Sequence, residues 1–276
     1  MYNTFSNYSE SVPLWWTVFS AAFTWIILWF FIYFAVHNGT FAGINPILLY
    51  WVPISVGAIF TGAIGGNIYE FLFVTRTGKI IHLKDVVKGA MIGAVVGTVL
   101  VFGLYYSSGS LLSIIGVKTP LALVASVDPV PLYISKVVGV IPTFSISASL
   151  SEIFNSYDFW LMMVVAFSEE FLVLMTIRPF ERYFLKKGYA AILAVLLAAI
   201  IAGLFWAVSH AAAYSFEGVP VISGIIMAFL LGTIFFRLLS EVIFKDFNIG
   251  FMVSAHFFYD FLLISVIVPL SFVVIH

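Results

Sequence analysis

The chain has 276 residues, of which 63% are hydrophobic and only 9% charged, with a net charge of −1 and no cysteine. A soluble domain carries roughly 45–50% apolar and 25% charged residues, so this composition excludes a soluble globular protein and places the chain in a membrane. The near-neutral charge leaves no footprint for nucleic acid, and the lack of cysteine excludes disulfides, thiolate metal ligands and a cysteine nucleophile.

A helix needs roughly 20 apolar residues to cross about 30 Å of hydrocarbon. Seven stretches approach or exceed that length, at 13–36, 44–65, 86–106, 157–177, 190–213, 220–240 and 248–269. They predict an all-α, polytopic integral membrane bundle of about seven transmembrane helices. The first stretch is longer than a signal-peptide core and no Lys or Arg precedes it, so it is expected to stay attached as a membrane helix.

Basic residues orient the bundle. Arg76, Lys79, Lys84 and Lys88 follow the second stretch; Arg178, Arg182, Lys186 and Lys187 follow the fourth; Arg237 and Lys245 separate the sixth from the seventh. Only Lys118 and Lys136 fall on the other side. The positive-inside rule then puts the N-terminus in the cytoplasm and the C-terminus outside, and the membrane is expected to be the plasma membrane. Residues 107–156, with Pro120, Pro129, Pro131 and Pro142, read as one long external segment rather than a straight helix. The chain thus divides into N-terminal membrane helices with an external segment (1–156) and a C-terminal helical core (157–276). Gly89, Gly93 and Gly97, four residues apart, form a small face for close helix packing.

Ionisable groups within spans cost roughly 2.5 kcal/mol or more each and mark functional candidates. In the stretch FSEEFLVLMTIRPFERYFLKKG, Glu169 and Glu170 stand side by side among Phe, Leu, Val and Met. Two adjacent carboxylates cannot both be ionised cheaply in a low dielectric, which makes one of them a candidate general base. His210 lies in the fifth stretch and His256 with Asp260 in the seventh, whereas Arg237 and Glu241 lie near span ends and read as interfacial.

If the fourth and fifth stretches form a hairpin turning at Lys187, Gly188 and Tyr189, Glu169 precedes Tyr189 by 20 residues and His210 follows it by 21. At about 1.5 Å per residue the two side chains stand at the same height. His256 and Asp260, spaced i, i+4, share one helix face. Singly, each group has a packing explanation: a hydrogen-bonded core histidine, a local His–Asp clip, or Glu169 paired with Arg178. Together, acid and imidazole converging from three helices point to function.

The order of these residues resembles the CAAX protease and bacteriocin-processing family of intramembrane endopeptidases. That family's pattern is a Glu-Glu pair followed by Arg, an aromatic four residues before a His, and a final His followed four residues later by Asn. Here the matching positions are Glu169 and Glu170, Trp206 with His210, and His256 with Asp260. Two positions depart: Leu174 stands where the family has Arg, with Arg178 one turn further along as a partial substitute, and Asp260 stands in place of Asn.

The resemblance implies peptide hydrolysis within the membrane. Glu169 or Glu170 would activate a water, His210 would position it or protonate the leaving amine, and His256 with Asp260 would stabilise the oxyanion. The implied partners are membrane lipids and a membrane-embedded or lipidated peptide. Alternatively, His210, His256 and Glu169 bind a divalent metal such as zinc, two imidazoles and a carboxylate being a catalytic ligand set. Two other classes stay open: a non-catalytic subunit of a membrane protein complex, and a proton-coupled transporter using the same groups as a relay.

Overall fold

The computed structural model describes residues 14–37, 51–63, 68–114, 157–211 and 221–263. Regular structure among them is helical: α1 (Leu14–His37), α2 (Trp51–Ala63), a short α3 (Ile68–Phe73), α4 (Leu83–Ile114), α5 (Tyr157–Lys186), α6 (Ala191–Ser209), α7 (Val221–Leu230), a π-helical run (Leu231–Leu238), α8 (Leu239–Phe244) and α9 (Ile249–Leu262). Beyond helices the described residues hold an isolated antiparallel bridge between Val74 and Ile80. Helix is what hydrocarbon permits, because each backbone N–H and C=O is satisfied within its own segment.

The chain is an all-α membrane bundle. Leu83–Gly103, Phe159–Lys186, Ala191–Ser209 and Gly224–Phe244 are each long and apolar enough to cross a membrane, and Leu14–Ile26 and Ile249–Leu262 are shorter apolar helices. A helix lies in each of the seven expected stretches, but three of them run further than composition suggested: α4 to Ile114, α5 to Lys186, and the sixth through the π-helical run to Phe244. In α5 and the sixth stretch the cause is that Arg178, Glu181 and Arg237, which look like span-ending charges, are buried and paired inside the bundle. Residues 115–156, most of the expected external segment, lie outside the described residues.

Helix α4 shows how the bundle sorts its faces. Leu83, Val87, Met91, Val95 and Val99, at i, i+4 spacing, are each half or more exposed and form a lipid-facing stripe. The glycine face lies against α9: a Cβ at Gly93 would overlap the Phe251 carbonyl, one at Gly97 the Ala255 carbonyl, and one at Gly89 the Asn248 side chain. Asn248 also caps α9, its Oδ1 accepting from the Phe251 N–H at 3.1 Å while its Nδ2 donates to the Asp85 carbonyl at 3.0 Å. The starts of α4 and α9 are thereby tied together, and the two helices run parallel. Gly93→Ala and Gly97→Ala are each expected to destabilise the protein by about 1–3 kcal/mol through overpacking. Met91→Ala, on the lipid stripe, is expected to change stability by less than about 0.5 kcal/mol. Thermal unfolding in lipid nanodiscs compares the three.

The hairpin between α5 and α6 turns where expected. Gly188, at φ +83, takes the left-handed conformation that glycine alone adopts without strain. Its N–H bonds the Leu185 carbonyl at 3.0 Å, the Tyr189 N–H bonds the Phe184 carbonyl at 3.1 Å, and the Tyr189 and Phe184 rings meet edge to face at 5.4 Å. This is a Schellman close with its hydrophobic contact. It sets the register that brings the upper parts of α5 and α6 face to face. Residues from both halves of the chain, among them Phe71 and Val101 with Leu172, Trp206 and Phe257, share one apolar core.

Candidate active site

Four helical segments converge on Glu169 and Glu170, which are 4% and 0% exposed in the middle of α5. The two acids face different partners. Trp206 of α6 donates its indole N–H to Glu169 Oε2 at 2.7 Å. The same oxygen lies 3.9 Å from His210 Nε2 and 3.9 Å from His256 Nε2. One carboxylate oxygen is therefore flanked by two imidazoles carried on different helices.

Glu170 is held by charge. Its Oε1 accepts from Arg237 Nη2 at 2.8 Å and lies 3.0 Å from His256 Nδ1. On the other edge of the ring, His256 Nε2 is 2.9 Å from Asp260 Oδ2, one turn along α9. His256 thus sits between two acids, with the Phe236 ring stacked on its face at 5.0 Å. His210, at the C-cap of α6, is anchored by Nδ1 against the Trp206 carbonyl at 2.6 Å, which leaves Nε2 directed at Glu169.

The structure brings together Glu169, Glu170, Trp206, His210, His256 and Asp260, the groups selected from sequence. It corrects two readings. Arg237 is not interfacial: it is fully buried, pairs with Glu170 and lies over the Trp206 ring with its guanidinium carbon 4.6 Å from the ring centroid. Arg178 takes no part in this cluster. Eight residues beyond Glu170, about 12 Å along the helix, it pairs instead with Glu181 at 3.1 Å and Asp246 at 2.7 Å. Leu174, at the family's arginine position, is fully buried in the apolar core.

Arg178 belongs to a second ionic cluster at the end of the bundle that carries the basic loops. The turn between α3 and α4 inserts Arg76, whose guanidinium donates to Glu181 at 2.7 Å and, through both terminal nitrogens, to Glu241. Asp246, in the link between α8 and α9, accepts from the Arg76 backbone N–H at 2.9 Å. Burial works to lower the Arg76 pKa, but the Glu241 hydrogen bonds and the charges of Glu181, Glu241 and Asp246 outweigh it and raise it. Glu241, read from sequence as interfacial, is likewise part of this lock. The cluster joins four segments of the fold and is structural in character.

Sequence reasoning misses Arg237 because it stands at the end of an apolar run, where a cation reads as a loop residue. Its inward turn is a tertiary feature: a Cβ at Gly232 would overlap Arg237 Nη1 and the Trp206 ring, a close approach that spacing and composition do not show. As for a metal, no group of three or more His, Asp or Glu side chains arranged to hold an ion occurs among the described residues, the set His210, His256 and Glu169 included. No family model, curated protein or solved structure matches the chain in the three comparisons.

Proposed function

We propose that the protein is an intramembrane endopeptidase of the kind the CAAX protease and bacteriocin-processing family represents. The observation that carries the reading is Glu169 Oε2, held by Trp206 at 2.7 Å and placed 3.9 Å from the Nε2 atoms of both His210 and His256. In this reading a water between these groups gives its proton to Glu169 as its oxygen bonds the scissile carbonyl carbon. The carbonyl oxygen takes the negative charge, and collapse of the tetrahedral intermediate breaks the C–N bond. The proton then passes to the leaving amine from Glu169 or from a protonated His210. His256, with Glu170 behind it at Nδ1 and Asp260 beside its Nε2, stabilises the oxyanion as an imidazolium donating from Nε2.

A groove of about 880 Å³ between α1, α5 and α6 supports a substrate that arrives from the lipid. It is lined by Trp25, Phe180, Leu204, Val208 and Ser209 among others, and reaches the residues that flank His210. That lining suits a membrane-embedded or lipidated peptide. The experiment is cleavage of co-expressed single-span membrane peptides: the wild-type protein is expected to process at least one, and Glu169→Gln none. No processing of any peptide by the wild-type protein counts against the reading.

A second reading, a non-catalytic subunit of a membrane complex, is favoured by the closure of the cluster and by Leu174. His210, His256 and Glu170 are each 0% exposed, and an apolar side chain occupies the family's arginine position.

The orientation belongs to the same proposal: a plasma-membrane protein with a cytoplasmic N-terminus and an external C-terminus. Although Arg237 drops out of the loop count, Lys79, Lys84, Lys88, Lys186, Lys187 and Lys245 still lie on one side. Cysteines introduced at Lys84, Lys187 and Lys245 in this cysteine-free chain are expected to be shielded from an impermeant thiol reagent in intact cells and labelled after permeabilisation. Labelling of Lys84 and Lys187 variants from opposite faces would overturn the arrangement.

A further inference from the structure

The proposed chemistry asks that His256 present a fixed edge to Glu169. Two consecutive residues of the π-helical run, Phe236 and Arg237, bear on that ring. Phe236 stacks on the imidazole face, with ring planes 19° apart, and Arg237 grips Glu170 Oε1, the oxygen that meets His256 Nδ1. A guanidinium can only donate, so Glu170 Oε1 is an acceptor for Arg237 and is set to accept from His256 Nδ1–H as well. Which ring nitrogen of a histidine carries the proton is set by the partner of the other. Nδ1 is committed to Glu170, and Nε2 is left facing Asp260 at 2.9 Å and Glu169 at 3.9 Å.

The local backbone is built for this. π-helical turns are rare and are frequently found at functional sites, and this one runs from Leu231 to Leu238 with both residues inside it. Gly232 leaves the space in which Arg237 Nη1 and the Trp206 ring lie, and Gly203 of α6 leaves the space for the Thr233 hydroxyl. Trp206 in turn offers its face to Arg237 and its N–H to Glu169. One cation therefore bears on both acids, on Glu170 directly and on Glu169 through the indole.

We propose that Arg237 is the positioning residue of this site: carried in by the π-helical run, it holds Glu170 so that His256 keeps its Nε2 edge toward Glu169 and Asp260. The inference rests on the endopeptidase reading for its consequence, but the Arg237–Glu170–His256 link is read separately from turnover.

The test uses the full-length protein, labelled with nitrogen-15 histidine, in lipid nanodiscs. His256 and His210 signals are assigned with His256→Gln and His210→Gln. Arg237→Met is expected to shift the His256 ring-nitrogen signals and leave those of His210, anchored on the Trp206 carbonyl, in place. Cleavage of a processed membrane peptide is expected to fall about 100-fold in kcat, the scale of a misplaced catalytic group, at unchanged KM. Arg237→Lys, a point charge without the planar fork, is expected to lie between the two in both readouts.

A folded Arg237→Met protein with wild-type His256 signals overturns the proposal. If that variant does not fold, wild-type His256 signals and kcat in Arg237→Lys overturn it. A shifted His256 signal in a protein that cleaves nothing supports the link and sinks only the hydrolase reading. Wild-type cleavage together with wild-type His256 signals in both variants overturns the link and leaves hydrolysis standing.

Discussion

Glu170→Ala and Arg237→Ala are each expected to lower stability by about 3–5 kcal/mol, because each strands an uncompensated charge in the interior. Both side chains are 0% exposed and Arg237 Nη2 meets Glu170 Oε1 at 2.8 Å. Removing both charges together is a different matter. Buried ion pairs are often replaceable by apolar residues of similar volume without net loss, so Glu170→Leu combined with Arg237→Met is expected to recover most of the stability lost by either alanine variant. Thermal unfolding in nanodiscs gives the comparison, and single variants that unfold at the wild-type temperature would show that the pair is not energetically coupled. A related exchange probes the family resemblance. Leu174 lies one turn beyond Glu170 on α5, so Leu174→Arg with Arg237→Leu moves the guanidinium to the family's position. A stable double variant would show that either helix can supply the cation; unfolding would show that the apolar packing around Leu174 excludes it.

Loss of cleavage by orders of magnitude is the expected result for Glu169→Gln, since a positioned general base contributes about 100- to 10,000-fold. Gln keeps the shape of the side chain and can still accept from Trp206, so the fold is expected to survive while the proton acceptor is gone. His256→Ala and His210→Ala are expected to reduce cleavage as well, and their effects combined with Glu169→Gln to fall well short of additive, because groups acting on one transition state fail as a unit. In a scaffold the pattern reverses: each alanine leaves buried polar partners unsatisfied at about 1–3 kcal/mol, stability falls, and no cleavage is there to lose. Measuring stability and cleavage on the same preparations separates the two.

Much of this site was legible in the sequence for physical reasons. An acid or imidazole inside hydrocarbon is too costly to be incidental, which singled out Glu169, Glu170, His210, His256 and Asp260. Hairpin arithmetic around Gly188 placed Glu169 level with His210, and the 3.9 Å separation agrees. The close approach implied by Gly89, Gly93 and Gly97 is seen against α9. What could not be read was partner choice. A cation near the end of an apolar run looks the same whether it snorkels to the interface or turns inward, and periodicity assumes an α-helical turn that the run Leu231–Leu238 does not keep. Arg237 was therefore missed, and Arg178 was credited with its neighbourhood although it pairs with Glu181 and Asp246. Those partners lie in the same helix and in a link far along the chain, and only tertiary structure selects between them and Glu169.

Hydrolysis at Glu169 is measured most directly in heavy-oxygen water. Purified full-length protein in liposomes is mixed with a library of single-span membrane peptides, and the products are read by mass spectrometry. The wild-type protein is expected to yield new C-terminal carboxylates carrying one heavy oxygen, and Glu169→Gln none. Equal labelled cleavage by both proteins, or none by the wild type across the library, would contradict it.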